Sequence, residues 1–345
     1  MSAAELVTGA VRILLPVLLA LVAGGLVLLA MGADPLAYYG YVVERGLLSR
    51  TGLEASVTRM APLLLIAAGL IVAFRAGLWN LGVDGQFLLA AVVVAALAPA
   101  LAPAVPHWLM VPVCFAVAFA VGAVWSVIPA FLKAVHGINE IIATLMMSFL
   151  GVGLANILIK LVFFDPATTV PQTATLAVED RLARLGATTV HWGVLLGVAA
   201  VLAVHWLMGH TALGLRLQIV GSSPRAAIHA GINLRRLTFV AFALGAGLAG
   251  VGGAADVMGV HGTVQADWNP AYGILVIPLV FLARFNGWGV IAFVFGFAVL
   301  MIGGESAARR VGVPTFFVLV LVALLLLFLA VVEYLDHERR RRRAA

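Results

Sequence analysis

Apolar runs of about 20 residues recur from one end of this chain to the other, and that recurrence decides what it can fold into. Crossing about 30 Å of hydrocarbon takes roughly 20 apolar residues as a helix. Ten stretches meet that need, near 11–31, 57–74, 82–101, 108–132, 138–161, 191–208, 236–255, 271–285, 289–304 and 313–333. None alternates as a barrel strand does, and 316–332 is apolar throughout. The chain is 63% hydrophobic and 10% charged, against roughly 25% charged residues in ordinary soluble domains. The expectation is an all-α polytopic membrane protein of about ten transmembrane helices, forming one domain over 1–345.

The net charge of +6 reads as membrane orientation rather than nucleic-acid binding. With both termini in the cytoplasm, thirteen basic residues fall inside: Arg12, Arg75, Lys133, Arg216, Arg225, Arg235, Arg236, Arg284 and Arg339–Arg343. Eight fall outside: Arg45, Arg50, Arg59, Lys160, Arg181, Arg184, Arg309 and Arg310. The bias rests on the basic tail at 336–345, since without it the count is eight against eight. Trp108, Trp192, Trp206, Trp268 and Trp288 sit at span ends as an interfacial belt, while Trp125 lies deep in the fourth span. The apolar stretch after Arg12 outlasts a signal-peptide core and reads as an uncleaved first helix.

Several chemistries are absent from the sequence. A single cysteine, Cys114, excludes internal disulfides and Cys-based metal sites. His136, His191, His205, His210 and His229 are scattered, so no metal and no cofactor are expected. No G-x-x-x-x-G-K-[ST] occurs, and no clustered acid and base suggest an enzyme.

Polar connections carry the remaining signals. The loop over 162–190 is expected outside, with a charged patch from Glu179 to Arg184; 209–236 is expected inside. Residues 34–59 read as external with a surface helix. Gly245–Gly253 presents a small-residue face suited to close helix approach in lipid.

Within 209–236, Ser223 reads as an N-cap and Pro224 as the first helical residue. Arg225, Ala226, Ala227 and Ala230 follow, and Gly231 stands where the helix should stop. A short Ala-faced helix in the loop of a membrane protein implies that something docks on it. Phe74–Phe87, which contains Trp79, Asn80, Asp84 and Gln86 among three glycines, interrupts an apolar region. It is either a broken helix lining a path or a cytoplasmic turn capped by Asn80 or Asp84. In Gly137–Ser148, Asn139 fits a helix cap and Glu140 the first turn. Thr144 and Ser148 share a face with Glu140, either lining a path or bonding their own helix. Asp256 and His261 are placed at the external end of the seventh span, as a docking point or a simple exposed turn.

Arg75-Ala-Gly-Leu-Trp-Asn-Leu-Gly-Val-Asp-Gly-Gln86 resembles the signature of permeases in the nucleoside/simple-sugar ABC importer family, relatives of branched-chain amino acid and ribose permeases. Gly137–Ser148, the Ala226-Ala227…Gly231-Ile232 segment, Gly252–Gly262 and Pro171-Gln172-Thr173 are similar to the same family. One stretch departs from it: Tyr272–Phe281 is bulky and contains Pro278 where the family has a Gly/Ala-rich run. The resemblance implies a bacterial inner-membrane permease working by alternating access. It implies separate ATPase subunits seated on 223–231, a paralogous second permease forming a heterodimer, and an external binding lipoprotein of the basic-membrane-protein type. Trp79, Asn80, Asp84, Gln86, Asn139, Glu140, Thr144 and Ser148 are then expected along the substrate path. Nucleosides, nucleobases and simple sugars all remain open as cargo. The alternative is an ion-coupled secondary transporter, for which Asp84, Glu140 and Asp256 are few and close to span ends.

Overall fold

The computed structural model describes residues 3–344, with side chains described from 14 to 335 except 333. The side chains of Arg12 and of the 336–345 tail lie outside the described residues. The described chain is helical: α1 (Ala3–Ala30), α2 (Pro35–Val43), α3 (Arg50–Arg75), α4 (Val83–Leu101), α5 (His107–Trp125), α6 (Val127–His136), α7 (Glu140–Ile157), α8 (Gly193–His210), α9 (Ala212–Ser222), α10 (Pro224–His229), α11 (Leu234–Asp256), α12 (Tyr272–Leu282), α13 (Gly287–Val311) and α14 (Phe317–Ala344). Seven helical segments are long and apolar enough to cross a membrane, and three shorter apolar helices join them at Leu14–Ala30, Tyr272–Leu282 and Phe317–Val332. Together they fall on the ten stretches expected from the sequence. Among the described residues strand pairing is confined to two isolated bridges, Gln172 with Gln265 and Arg184 with His191.

Helix α11 is the axis of the bundle, and its glycines are the reason. A Cβ on Gly245 would press on Gly69 of α3, one on Gly250 on the Ala118 carbonyl of α5, and one on Gly253 on the Phe87 carbonyl of α4. Three neighbours therefore approach one helix at backbone distance, the packing that associates helices where lipid and side chain are equally apolar. Around this axis sit fully buried Leu63, Leu64, Ile66, Phe87 and Phe242. The outer surface is apolar instead of charged, with Leu18, Val22 and Leu26 on α1 and Phe149 and Leu150 on α7 exposed.

Two regions gain detail that the sequence did not supply. The 34–59 stretch does hold a helix with an exposed face, α2, which packs on α13 through buried Tyr38 and Val42, and α3 begins within the stretch at Arg50, capped by Ser49. Arg59, counted among the external charges, thus lies within a spanning helix. The 162–190 loop is folded onto the far end of α11, with Thr173 N–H donating to Val264 O, Leu176 N–H to Gly262 O and Leu182 N–H to Met258 O. Glu179 and Arg184, part of the charged patch, line a cavity of about 490 Å³ with His107, Arg181, Gly259 and Val260.

Candidate functional site

At the end of the bundle where α9 and α10 lie, Ser223 caps α10 by accepting from Ala226 N–H at 3.3 Å, and Pro224 takes the first turn. Gly231 follows at φ +71°, a left-handed backbone that glycine adopts without a Cβ clash. Arg225, Ala226, Ile228, His229 and Ala230 are exposed. Ala227 is not. It is fully buried in the main core, so the exposed face is built by Ala226, Ile228 and Ala230 rather than by the three alanines together. A helix of six residues has one inward position, and Ala227 occupies it.

The segment between α3 and α4 is a buried break. Asn80 and Gln86 are 1% and 0% exposed, so an exposed turn does not describe it. Leaving α3 after Arg75 and re-entering helix at Val83 frees backbone donors at the start of α4 that must be met inside the protein. Leu81 N–H donates to Thr144 Oγ1 at 3.0 Å, Gly82 N–H to Asn80 Oδ1 at 3.0 Å and Gly85 N–H to Ser148 Oγ at 3.2 Å. Asn80 Nδ2 donates to Gln86 Oε1 at 2.9 Å. Thr144 also donates to its own helix, to Glu140 O at 2.7 Å, so both readings of its hydroxyl hold together. Asn139 caps α7 by accepting from Ile141 N–H, and Glu140 pairs with Lys133 Nζ at 2.6 Å across the intervening turn. Half-exposed Trp79 stacks on Phe281 of α12 with centroids 5.3 Å apart. The eight residues expected along the path are brought into one region. Asn80 bonds Gln86 and Thr144 bonds the Glu140 and Trp79 carbonyls, while Asp84, Asn139, Glu140 and Ser148 are satisfied by neighbours outside the set.

Helix α12 is tied to other helices at both of its ends. Asp84 Oδ1 accepts from Gly273 N–H at 2.7 Å, holding the start of α12 to the start of α4. At its other end, Arg75 donates to Phe285 O at 3.2 Å and to Gln218 Oε1 of α9 at 3.3 Å. Among the described residues the non-glycine positions with left-handed backbone are Asp267, Ala271, Arg284 and Phe285, and all flank α12. Each such position costs of order 1 kcal/mol or more, so this short helix hangs between two strained joints.

Sequence reasoning missed the polar cluster at the other end of α11. Arg59 of α3 donates to Tyr272 Oη of α12. Asp256 is 1% exposed, which rules out the simple exposed turn. His261 ends a π-helical turn, Val257–His261, that continues α11. Trp268 meets the His261 ring edge-on at 5.1 Å and lies 6.0 Å from Phe87. The missed signal was a basic residue nine places into α3 and a lone Tyr at the head of α12.

Comparison with known proteins agrees with this architecture. Residues 52–329 match the family described as branched-chain amino acid transport system / permease component. A glucose ABC transporter permease protein of Haloferax volcanii is 35% identical over 337 residues, covering 94% of this chain and 88% of the relative. A nucleoside ABC transporter permease protein of Lactococcus lactis is 25% identical, covering 89% and 87%. A guanosine ABC transporter permease protein of Bacillus subtilis is also 25% identical, covering 92% of each chain.

Proposed function

The chain belongs to the branched-chain amino acid transport system / permease component family as a multi-pass permease subunit of an ABC importer, and on that premise we propose how it carries its cargo. As a permease component it works with an ATPase and a substrate-binding component. The cargo is a simple sugar or a nucleoside, as the names of the glucose, nucleoside and guanosine permeases among its relatives support. The protein lies in the bacterial inner membrane with both termini and α10 in the cytoplasm. It pairs with a paralogous second permease, and a lipoprotein delivers the solute from outside. ATP hydrolysis takes place on the separate ATPase.

The observation that carries the coupling is the pair of hydrogen bonds donated by Arg75, which ties α9 to the foot of α12. Ser223, Pro224, Arg225, Ala226, Ala230 and Gly231 form the ATPase contact, and Ala227 seats that helix on the bundle. Closure of the ATPase pulls α10 and α9, Arg75 passes the movement to α12, and α12 shifts against Asp84. Trp79, Asn80, Gln86, Asn139, Glu140, Thr144 and Ser148 form the adjoining wall of the path. ATP favours one state only through contacts that differ between states, so the α10 face must meet the ATPase differently in each. Uptake of labelled glucose or guanosine should require co-expression of the cognate ATPase. Uptake that persists without the ATPase and follows an ion gradient would overturn the reading in favour of a secondary transporter.

A further inference from the structure

The cluster at the outer end of α11 holds two polar atoms that the fold leaves idle. Among the described residues, Asp256 Oδ2 and His261 Nε2 are buried and have no hydrogen-bond partner. They face each other at 3.8 Å, too far for a hydrogen bond. Leaving such groups unmet is costly, more so for a charged one, so their retention calls for a purpose. A hydroxyl oxygen about 2.8 Å from each atom closes a triangle over that base, accepting from one and donating to the other.

The surroundings select the kind of hydroxyl. Trp268 and His261 are both partly exposed. Asp256 is buried and the two idle atoms are shut off from solvent in this state, so a ring reaches them only when the two aromatic side chains part. Trp268 and His261 offer the accessible aromatic surface that takes the flat apolar face of a sugar ring or a base, with Phe87 and Tyr272 fully buried behind them. Arg59, bonded to Tyr272 Oη, is the one fixed positive charge of the cluster and Asp256 supplies a carboxyl, so the site is not a group of cations built to hold an anion. Five elements converge here: α3, α4, α11 with its π-turn, α12 and the segment before α12. A π-turn placed at the end of an α-helix is a frequent mark of a functional site.

We infer that Asp256, His261, Arg59 and Trp268 form a contact site for one ring of a neutral polyhydroxylated solute, a pyranose or the ribose of a nucleoside. The inference rests on the sugar or nucleoside reading above and names where that solute meets this chain. Asp256 Oδ2 accepts from a ring hydroxyl, His261 Nε2 completes the bridge, and Trp268 covers the ring. The site stands about 34 Å from the start of α11, where the α10 segment enters, since α11 is 23 residues long.

The test uses the complete importer in cells lacking other uptake routes, with labelled glucose and labelled guanosine as probes. For whichever probe the wild type imports, Asp256→Asn and Trp268→Ala should lower import at least tenfold, and Trp268→Phe should keep most of it. Co-purification with the ATPase reports whether each variant is assembled. In a Cys114→Ser background, His261→Cys should react with a small thiol reagent, and the imported probe should slow that reaction several-fold. Assembled variants importing within twofold of wild type, with no protection of the cysteine, would overturn the site and leave the importer reading standing. A variant that fails to assemble leaves the cysteine protection to decide. A wild type that imports neither probe removes the substrate reading and this site with it.

Discussion

Asp84 and Gly273, 189 residues apart in sequence, bind the first turns of two helices to each other through a 2.7 Å hydrogen bond from Gly273 N–H to Asp84 Oδ1. A carboxylate at a helix N-terminus is favoured by the local dipole, and here it serves α4 and α12 at once. Asp84→Ala removes the acceptor and leaves Gly273 N–H unmet in a tight contact. It should cost about 1–3 kcal/mol and lower the melting temperature of the purified complex. Asp84→Asn keeps the acceptor oxygen and should recover most of that loss. Equal melting temperatures for the alanine variant and the wild type would show that α12 is not anchored there.

The exposed face of α10 gives a second prediction. Ile228 is 60% exposed beside exposed Ala226 and Ala230, whereas Ala227 is fully buried. Ile228→Glu should leave membrane insertion and yield intact while abolishing co-purification of the ATPase. Ala227→Glu should instead reduce the yield of the folded chain, because an unpaired charge would enter the core. Normal ATPase capture by Ile228→Glu would mean that the ATPase sits elsewhere.

Those two residues show how far the sequence could be read. The ten spans were legible because a run of apolar residues needs no knowledge of its neighbours. Ser223, Asn139 and Gly231 were legible because capping is settled within a few residues of chain. The inward turn of Ala227 was not, since a six-residue helix is too short for periodicity to mark a face. Arg59 reads only as an external charge at the outer end of the second span, because its partner Tyr272 lies 213 residues away and no local pattern joins them. The contact of Trp268 with His261 was not legible for the same reason: it depends on the fold between them.

Arg75 offers the test of coupling. It bonds Gln218 on α9 and the Phe285 carbonyl below α12 with separate guanidinium nitrogens, a geometry that lysine cannot reproduce. Both Arg75→Lys and Arg75→Gln should keep the ATPase bound yet lower the solute moved per ATP several-fold. Transport per ATP unchanged in both variants would remove Arg75 from the coupling route.

Orientation follows from the proposed placement of the 162–190 loop outside the cell. Thr175 is exposed within it. In a Cys114→Ser background, Thr175→Cys should label with an impermeant thiol reagent on intact cells. Labelling that appears only after permeabilisation would invert the topology.

His191 makes the docking of that loop sensitive to acid. Its ring is fully buried against Gly259 of the π-turn, and its Nδ1 accepts from Gly193 N–H at 3.1 Å. Burial disfavours the imidazolium and pushes its pKa down from 6.5 to about 4. The unfolded chain therefore binds the proton more readily than the folded one. The stability held by neutral His191 is complete above about pH 6.5 and is lost as pH falls toward 4, by about 3 kcal/mol at most. Limited proteolysis within 162–190 should be faster at pH 5 than at pH 7 in the wild type. His191→Asn, whose Oδ1 can still accept from Gly193, carries no titrating ring and should flatten that difference. If the asparagine variant keeps the full acid sensitivity, the loop is released by another group and the buried imidazole is only packing.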